Sequence, residues 1–525
     1  MYNGNNLFFN GRNGGFSIFK KRFFFNVIVL SVTSFIAYLI SMGFRIYLSN
    51  CIGTEGIGLY QLITSIFIFF ATITTAGINL TTTRLSTELI SKGQFGKARR
   101  CVGLCVLLSV TTGIVGGSLL FFGADFIALQ LLNDTRTALS LKILAPALPF
   151  MAVSSCFRGF FFARRNALKT SSEKLLEQFI EIGTFAVVIT FFAGKGIEYA
   201  CCSICIGTLA AEILSCLYSF TLYRLDIRKT KSETVPVRWF LKNTAEIALP
   251  VTANSCLRTG LSAVENILIP FGLKKNGLNY TKALSDYGII TGMAMPVLMF
   301  PSVLITPFSS LIIPEVAQAH SNGKIQSIRN MTQSLFRGVL FYSLPITVIL
   351  MFFSLEFGQV IYGNTEVGVY IGILAPIIPF VYLDSITDAI LKGINEQLSY
   401  LIFNFIDSAI RVLLTYVLLP LIGIKGVIIV IFVSELLNTV MSIARLLKVT
   451  QIKFMIFEWI IKPILFTALP CTFIKTLNFP TTGILDLCIR VALCTVFYLL
   501  LLFAFSKHDD NLKTLFSQKK KRENL

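Results

Sequence analysis

The sequence predicts an all-α polytopic membrane protein of about fourteen transmembrane helices, built as two parallel six-helix lobes around a central cavity with two extra C-terminal helices. Three observations carry this expectation. Of 525 residues, 54% are hydrophobic and only 14% charged, whereas a soluble chain carries about a quarter charged residues. Mean hydropathy is +0.74, and apolar runs such as 23–48 and 485–505 match a hydrocarbon core of about 30 Å. A sequence motif also recurs at one fixed offset in the two halves of the chain.

The spans follow in order. They begin near 23–48, 58–83, 101–123, 137–163, 174–194 and 197–223, and resume near 243–271, 283–313, 333–355, 367–391, 398–421 and 424–446, with a last pair near 454–476 and 485–506. In lipid the backbone must satisfy its own hydrogen bonds, which for segments of this length means helices. The expected organisation is a cytoplasmic N-terminal segment (1–22), a first lobe (23–223), a cytoplasmic linker (224–242), a second lobe (243–447), the last two helices (448–506) and a basic cytoplasmic tail (507–525). The apolar run after Lys20-Lys21-Arg22 is too long for the h-region of a cleaved signal peptide and reads as a first span.

Charge distribution tests this threading independently. With the N-terminus in the cytoplasm, inner segments hold about 31 Lys and Arg and outer segments about 7. Lys92, Lys97, Arg99 and Arg100 form one inner cluster, and Arg164, Arg165, Lys169 and Lys174 another, while the outer stretch Glu356–Glu366 has neither Lys nor Arg. An even helix count preserves the alternation.

Leu144-Ala145-Pro146-Ala147-Leu148-Pro149-Phe150 returns as Leu374-Ala375-Pro376-Ile377-Ile378-Pro379-Phe380, a displacement of 230 residues (374 − 144). The same displacement carries Ser91-Lys92-Gly93 onto Ser321-Asn322-Gly323, Arg99 onto Arg329 and Glu177 onto Asp407. Six helices per repeat give both halves the same orientation, a parallel duplication about the membrane normal.

Polar residues inside the spans mark candidate sites. Helix two carries Thr72, Thr74, Thr75, Gly77, Asn79, Thr81, Thr82 and Thr83. Its repeat mate, helix eight, carries Pro296, Pro301, Pro307 and Pro314 with Ser302, Thr306, Ser309 and Ser310. Interruptions at matching positions of two halves point to a substrate path, or to close packing through small residues. Charges in a span are costly and face a cavity or a partner. Arg258 lies near mid-membrane on helix seven, with Glu265 two turns on along one face, as a neutralised pair or an anion site. Arg45 and Arg84 lie near opposite ends of helices one and two, where snorkelling is the alternative. Arg158 has Asp388 as its repeat mate, a pair that can meet across the pseudo-axis. Asp384, Asp388 and Lys392 share one helix face, and Asp407–Arg411 and Asp486–Arg490 have the same spacing. Gly113-xxx-Gly117 suits close helix packing.

Several classes are disfavoured. The net charge of +19 sits in short loops without an aromatic platform, which suits anionic lipid headgroups rather than nucleic acid. Twelve cysteines accompany only His320 and His508, so no Cys/His metal pattern can be assembled, Cys201-Cys202-xx-Cys205 included. The cysteines read as small apolar residues at helix contacts, and no cofactor is expected. Gly53, Gly56 and Gly58 lack the strand–helix context of a nucleotide loop. The longest connector, 224–242, is too short to fold alone, which argues against a membrane glycosyltransferase, and no catalytic triad is visible.

Arg45-Ile46-Tyr47-Leu48-Ser49, Ile52-Gly53-Thr54-Glu55-Gly56-Ile57-Gly58-Leu59-Tyr60-Gln61-Leu62 and Ala76-Gly77-Ile78 resemble the stage V sporulation protein B family. So do Ile247-Ala248-Leu249-Pro250, Tyr287-Gly288-Ile289-Ile290-Thr291-Gly292-Met293-Ala294, Phe300-Pro301-Ser302 and Ile313-Pro314-Glu315. The resemblance covers most of residues 25–450. It implies a branch of the multidrug/oligosaccharidyl-lipid/polysaccharide exporter superfamily, and a non-enzymatic flippase of a lipid-linked glycan with a role in spore cortex or envelope synthesis. Lipid II flippases of that superfamily hold pyrophosphate with arginines on their first helices, and Arg45 and Arg84 look similarly placed. One departure is Glu181, where the family usually has a basic residue; its repeat mate Arg411 keeps the charge.

The expected substrate contacts are therefore Arg45, Arg84, Arg258, Glu265 and Asn79. Gating or coupling falls to Arg158, Asp384 and Asp388, with a proton or sodium ion as coupling partner. A cation-coupled drug exporter and a non-transporting scaffold for wall synthesis stay open as alternatives.

Overall fold

The computed structural model describes residues 15–192, 194–228, 231–450, 457–477 and 483–506. The basic tail expected at 507–525 lies outside these residues, as do 1–14. Among the described residues there are helices and turns but no strand. Helix begins at Gly15 rather than near 23 and runs to Ser91 in one piece, except at Gly53, whose backbone (φ 68°, ψ −178°) is a conformation that only glycine adopts without strain. That break separates α1 (15–52) from α2 (54–91).

The remaining helices are α3 (Phe95–Leu131), α4 (Thr137–Ala163, bent by 42° after Leu144), α5 (Ala167–Phe192), α6 (Ile197–Ile227) and α7 (Val237–Lys275). They continue as α8 (280–321), α9 (Ile325–Phe352), a short helix Ser354–Tyr362, α10 (Thr365–Gly393), α11 (Gln397–Ile422), α12 (Ile424–Thr450), α13 (Phe457–Thr476) and α14 (Ile484–Ser506). By length and apolarity, eleven described helices qualify as membrane spans, or twelve with bent α4. The expected fourteen are not reached by that measure, for two physical reasons. The run Ser31–Ser91 counts once although its 61 residues reach about 90 Å, some three hydrocarbon cores. Helix α7 carries Glu246, Arg258 and Glu265 and is too polar to qualify. The chain is a multi-pass membrane protein.

The duplication is written in the backbone. Positive φ occurs at Gly93 (72°), Asn133 (52°) and Arg165 (55°), and again at Gly323 (66°), Gly363 (63°) and Asn395 (67°), each 230 residues later. At Gly93 and Gly323 the same helix-ending turn forms, with Gln94 N–H donating to the Leu89 carbonyl and Lys324 N–H to that of Ala319. The repeated Leu-Ala-Pro motif interrupts the regular helix in both halves: α4 kinks there, and in α10 residues Ala375–Ile377 tighten into a 3-10 turn. Gly113 and Gly117 let α3 reach this kink. A Cβ on Gly113 would lie 2.5 Å from Pro149 Cα, and one on Gly117 2.8 Å from the Ala145 carbonyl.

Packing follows the repeat. Helix α4 lies on α2, α3 and α6, and α10 correspondingly lies on α8, α9 and α12. The two halves meet along α2, α7 and α8. At the end where Gly53 turns the chain, a Cβ on Gly58 would fall 2.1 Å from the Leu284 carbonyl oxygen, and one on Gly288 2.3 Å from that of Thr54. Thr54 and Ser285 hydroxyls share a 2.7 Å hydrogen bond beside them. Further along, Gly260 faces Phe69, and Gly77 faces Ala248 and Thr252, so α2 and α7 run antiparallel in contact. The linker is held to the first half by Glu233 N–H donating to the Gly96 carbonyl (3.2 Å).

Candidate functional site

Helix α8 is the most irregular segment. Gly288–Ala294 is a π-turn and Phe300–Leu304 a 3-10 turn, and both leave carbonyls without their regular helical donor. Tyrosine hydroxyls from four other segments replace those donors. Tyr38 of α1 donates to the Pro296 carbonyl (3.3 Å), Tyr342 of α9 to Pro301 (2.8 Å), Tyr362 to Met293 (3.3 Å) and Tyr382 of α10 to Leu298 (3.5 Å). The proline and glycine content of helix eight thus produces a broken helix whose carbonyls are satisfied from both halves.

Arg45, Arg84 and Arg258 are all exposed. Arg45 lies within Coulombic reach of Tyr38, Tyr60 and Glu181 of the first half and of Tyr362 of the second. Arg258 lies within reach of Asp388. At 1.5 Å per residue, the backbone of Arg45 is about 12 Å from the Gly53 turn and that of Arg84 about 46 Å. The Gly260–Phe69 and Gly77–Ala248 contacts put Arg258 between them, about 26 Å from the turn. The three arginines therefore stand at three levels and do not converge on one pyrophosphate. Asn79 is half-buried at the α2–α4 seam, its carbonyl accepting from Thr83 (2.8 Å) and lying where a Cβ on Gly159 would intrude.

Glu265 does not pair with Arg258. Seven residues along a helix separate their backbones by about 10 Å, and Glu265 instead accepts from Arg411 of α11, whose Nε and Nη2 both lie at 3.0 Å. Asp407, expected beside Arg411, accepts from Ser434; Glu435 completes the group around the guanidinium. Asp384 accepts from Asn438 Nδ2 at 2.9 Å. Among the described residues the buried Oδ1 of Asp388 has no hydrogen-bond partner, and Lys392 lies over the Tyr400 ring (3.9 Å).

In the first half Arg158 lies with Glu173 (3.2 Å) and Glu177 (3.5 Å) of α5, not with Asp388. Glu212 of α6 is also within its reach. Glu173 is 0% exposed and Glu212 4%, and among the described residues Oε2 of Glu212 has no hydrogen-bond partner. Glu181 accepts from Thr208 (2.9 Å). Of these acidic groups, Glu173, Glu212 and Glu435 were not singled out from the sequence. The available signal was an acid inside an apolar run at Glu212 and Glu435. Each half thus surrounds one arginine with several carboxylates, and the helix interiors are acidic rather than basic. Asp486 and Arg490 form the expected i,i+4 pair at 2.8 Å. Cys201 packs into the α2 turn, its Sγ 3.7 Å from the Gly56 carbonyl.

The family model described as polysaccharide biosynthesis protein matches residues 23–320, more than half of the chain. The chain belongs to this family. It is 25% identical to stage V sporulation protein B of Bacillus subtilis (strain 168) over 498 residues, covering 93% of this chain and 96% of that protein. It is 21% identical to the lipid II flippase MurJ of the same organism over 439 residues, 76% and 78% of the two chains. Among solved structures it is similar to lipid II flippase MurJ in an inward closed conformation, with TM-score 0.71 and 14% identity over 92% of this chain and 99% of that one. It is also similar to an inward-facing multidrug resistance MATE family transporter of the MOP superfamily, with TM-score 0.66 and 14% identity over 81% and 99%. At these identities the structural likeness establishes a shared fold.

Proposed function

We propose that this family member is a flippase that moves an undecaprenyl-pyrophosphate-linked glycan or peptidoglycan precursor across the bacterial cytoplasmic membrane by alternating access of two six-helix lobes. The observation that carries the reading is the pairing of a glycine-sealed seam at one end of the lobes with exposed arginines, Arg45 and Arg258, further along the same interface. Likeness to flippases in sequence and fold supports it. Both termini lie in the cytoplasm, which puts the seam outside and Arg84 at the inner mouth.

In this reading the arginines act in sequence. Arg84 meets the incoming headgroup, Arg258 holds the pyrophosphate at mid-depth, and Arg45 receives it nearer the outer end. A planar guanidinium offers pyrophosphate two parallel hydrogen bonds. Asn79 helps position α2, and Glu265 positions Arg411. Outward movement of each negative charge gains about 2.3 kcal/mol per 100 mV of inside-negative potential. Arg158, Asp384 and Asp388 couple the cycle to a proton or sodium ion, since carboxylates in a membrane core mark ion paths. The lipid tail stays in the bilayer among anionic lipids. The product serves spore cortex or envelope synthesis.

The test is transbilayer movement of a defined lipid-linked precursor in vesicles holding purified protein. Losing charge-assisted hydrogen bonds costs about 1.5–3 kcal/mol each, so Arg45→Ala and Arg258→Ala should each slow transport about tenfold or more, and Arg84→Ala should raise the half-saturating concentration. Wild-type rates in all three variants would overturn the assignment. The acidic interiors around Arg158 and Arg411 favour a second reading, a cation-coupled exporter. Proton-dependent efflux of organic cations from the same vesicles would select it.

A further inference from the structure

A cavity opens at the seam end, where the turns α1–α2, α3–α4 and α7–α8 gather. Its wall joins the two halves: Leu131 and Asn133 come from the end of α3, Ile267, Phe271 and Lys274 from α7, and Tyr280 from the start of α8. Leu131 is 45% and Phe271 38% exposed, so the cavity is open on an apolar face. One polar corner interrupts this lining. Lys274 Nζ stands 5.8 Å from the Tyr280 ring centroid, and among the described residues it has no carboxylate within ion-pair distance. The nearby acids, Glu55 and Asp134, share Arg136 at 2.8 and 2.7 Å, and a second lysine, Lys275, lies with its Nζ 4.7 Å from the Phe271 ring centroid. Asn133, in the left-handed conformation (φ 52°), adds an exposed carboxamide donor beside the lysine.

We propose that this cavity is a binding site for one anionic phospholipid of the phosphatidylglycerol type, with its phosphodiester on Lys274 and Asn133 and an acyl chain along Leu131, Ile267 and Phe271. Lys274, Lys275 and Arg136 against Glu55 and Asp134 leave one net positive charge at this corner, which balances the single charge of a phosphodiester; a pyrophosphate would leave charge uncompensated in a half-apolar wall. A zwitterionic headgroup would bring its own cation against Lys274. The occupied site bridges the halves next to the Tyr280 hydroxyl that donates to the Leu132 carbonyl (3.4 Å), so bound lipid favours the closed seam.

The experiment places the full chain in nanodiscs with photoactivatable phosphatidylglycerol or phosphatidylcholine at equal mole fraction and maps labelled peptides. Phosphatidylglycerol should label the 126–133 and 267–274 regions at least fivefold above phosphatidylcholine. Lys274→Ala and the cavity-filling Leu131→Trp should each remove that excess, and Lys274→Arg should retain it. Equal labelling by the two probes, or wild-type labelling in both Lys274→Ala and Leu131→Trp, overturns the site. Displacement of phosphatidylglycerol by undecaprenyl phosphate at equal mole fraction also overturns it, by assigning the cavity to the carrier.

Discussion

The two halves solve the same problem, a half-buried arginine among carboxylates, with the charges exchanged between repeat positions. At the position of Arg158 on α4 the second half has Asp388, and at the position of Arg411 on α11 the first half has Glu181. In the first half the ion pairs close on helices α4, α5 and α6, and among the described residues α1 joins α5 without an ion pair, through the neutral Gln178–Ser41 hydrogen bond and the packing of Phe44 and Tyr47 on Phe185. In the second half Arg411 reaches across to Glu265 and ties α7 to its own lobe. The difference teaches that α1 and α7, related by the repeat, are not held equally. Breaking a buried ion pair leaves an uncompensated charge, whereas losing a neutral hydrogen bond costs about 1 kcal/mol, so α1 is the helix freer to move.

The largest test of that contrast is Arg411→Ala, which strands Glu265 at 7% exposure. It should cost about 3–5 kcal/mol of stability, read by unfolding in detergent, and the double variant Glu265→Gln/Arg411→Met should recover most of the loss. If the double variant is as unstable as the single one, the α7 tie is not the source. Arg158→Ala should cost somewhat less, about 3 kcal/mol, without loosening α1 in hydrogen exchange. Gln178→Ala should cost about 1 kcal/mol yet speed exchange across 29–52 and leave α7 unchanged. Equal acceleration in both helices would erase the asymmetry.

The smallest effect lies outside the spans. Arg445 and Ser399 hold the Glu396 carboxyl below its ordinary range. A depressed folded-state value means its contribution is present at neutral pH and fades as pH falls through that lowered value. Arg445→Ala should therefore cost about 0.5 kcal/mol at pH 7 and progressively less on acidification, measured as the gap between paired melting curves.

What was legible follows from how each feature is encoded. The Leu-Ala-Pro repeat and Gly113-xxx-Gly117 are local patterns, and they mark the helix interruptions and the close α3–α4 approach. The broken eighth helix was visible in its prolines, but the tyrosines that satisfy it come from four distant segments, and only coordinates assemble them. Glu265 was legible as a buried charge; its partner, 146 residues away, was not, and a shared helix face suggested Arg258 instead. Glu173 and Glu212 escaped for the same reason, because a carboxylate's neighbours on other helices leave no mark in its own sequence window.

The seam between Gly58 and Gly288 is main chain against main chain. Such a closure is non-ionic, so separating the halves there strands no charge in the bilayer, and salt or pH should leave it indifferent. It also tolerates no added methyl group: one extra carbon on either glycine would act as a doorstop. An alanine at Gly58 is thus a reagent for holding the molecule ajar, and for capturing the other stage of its working cycle.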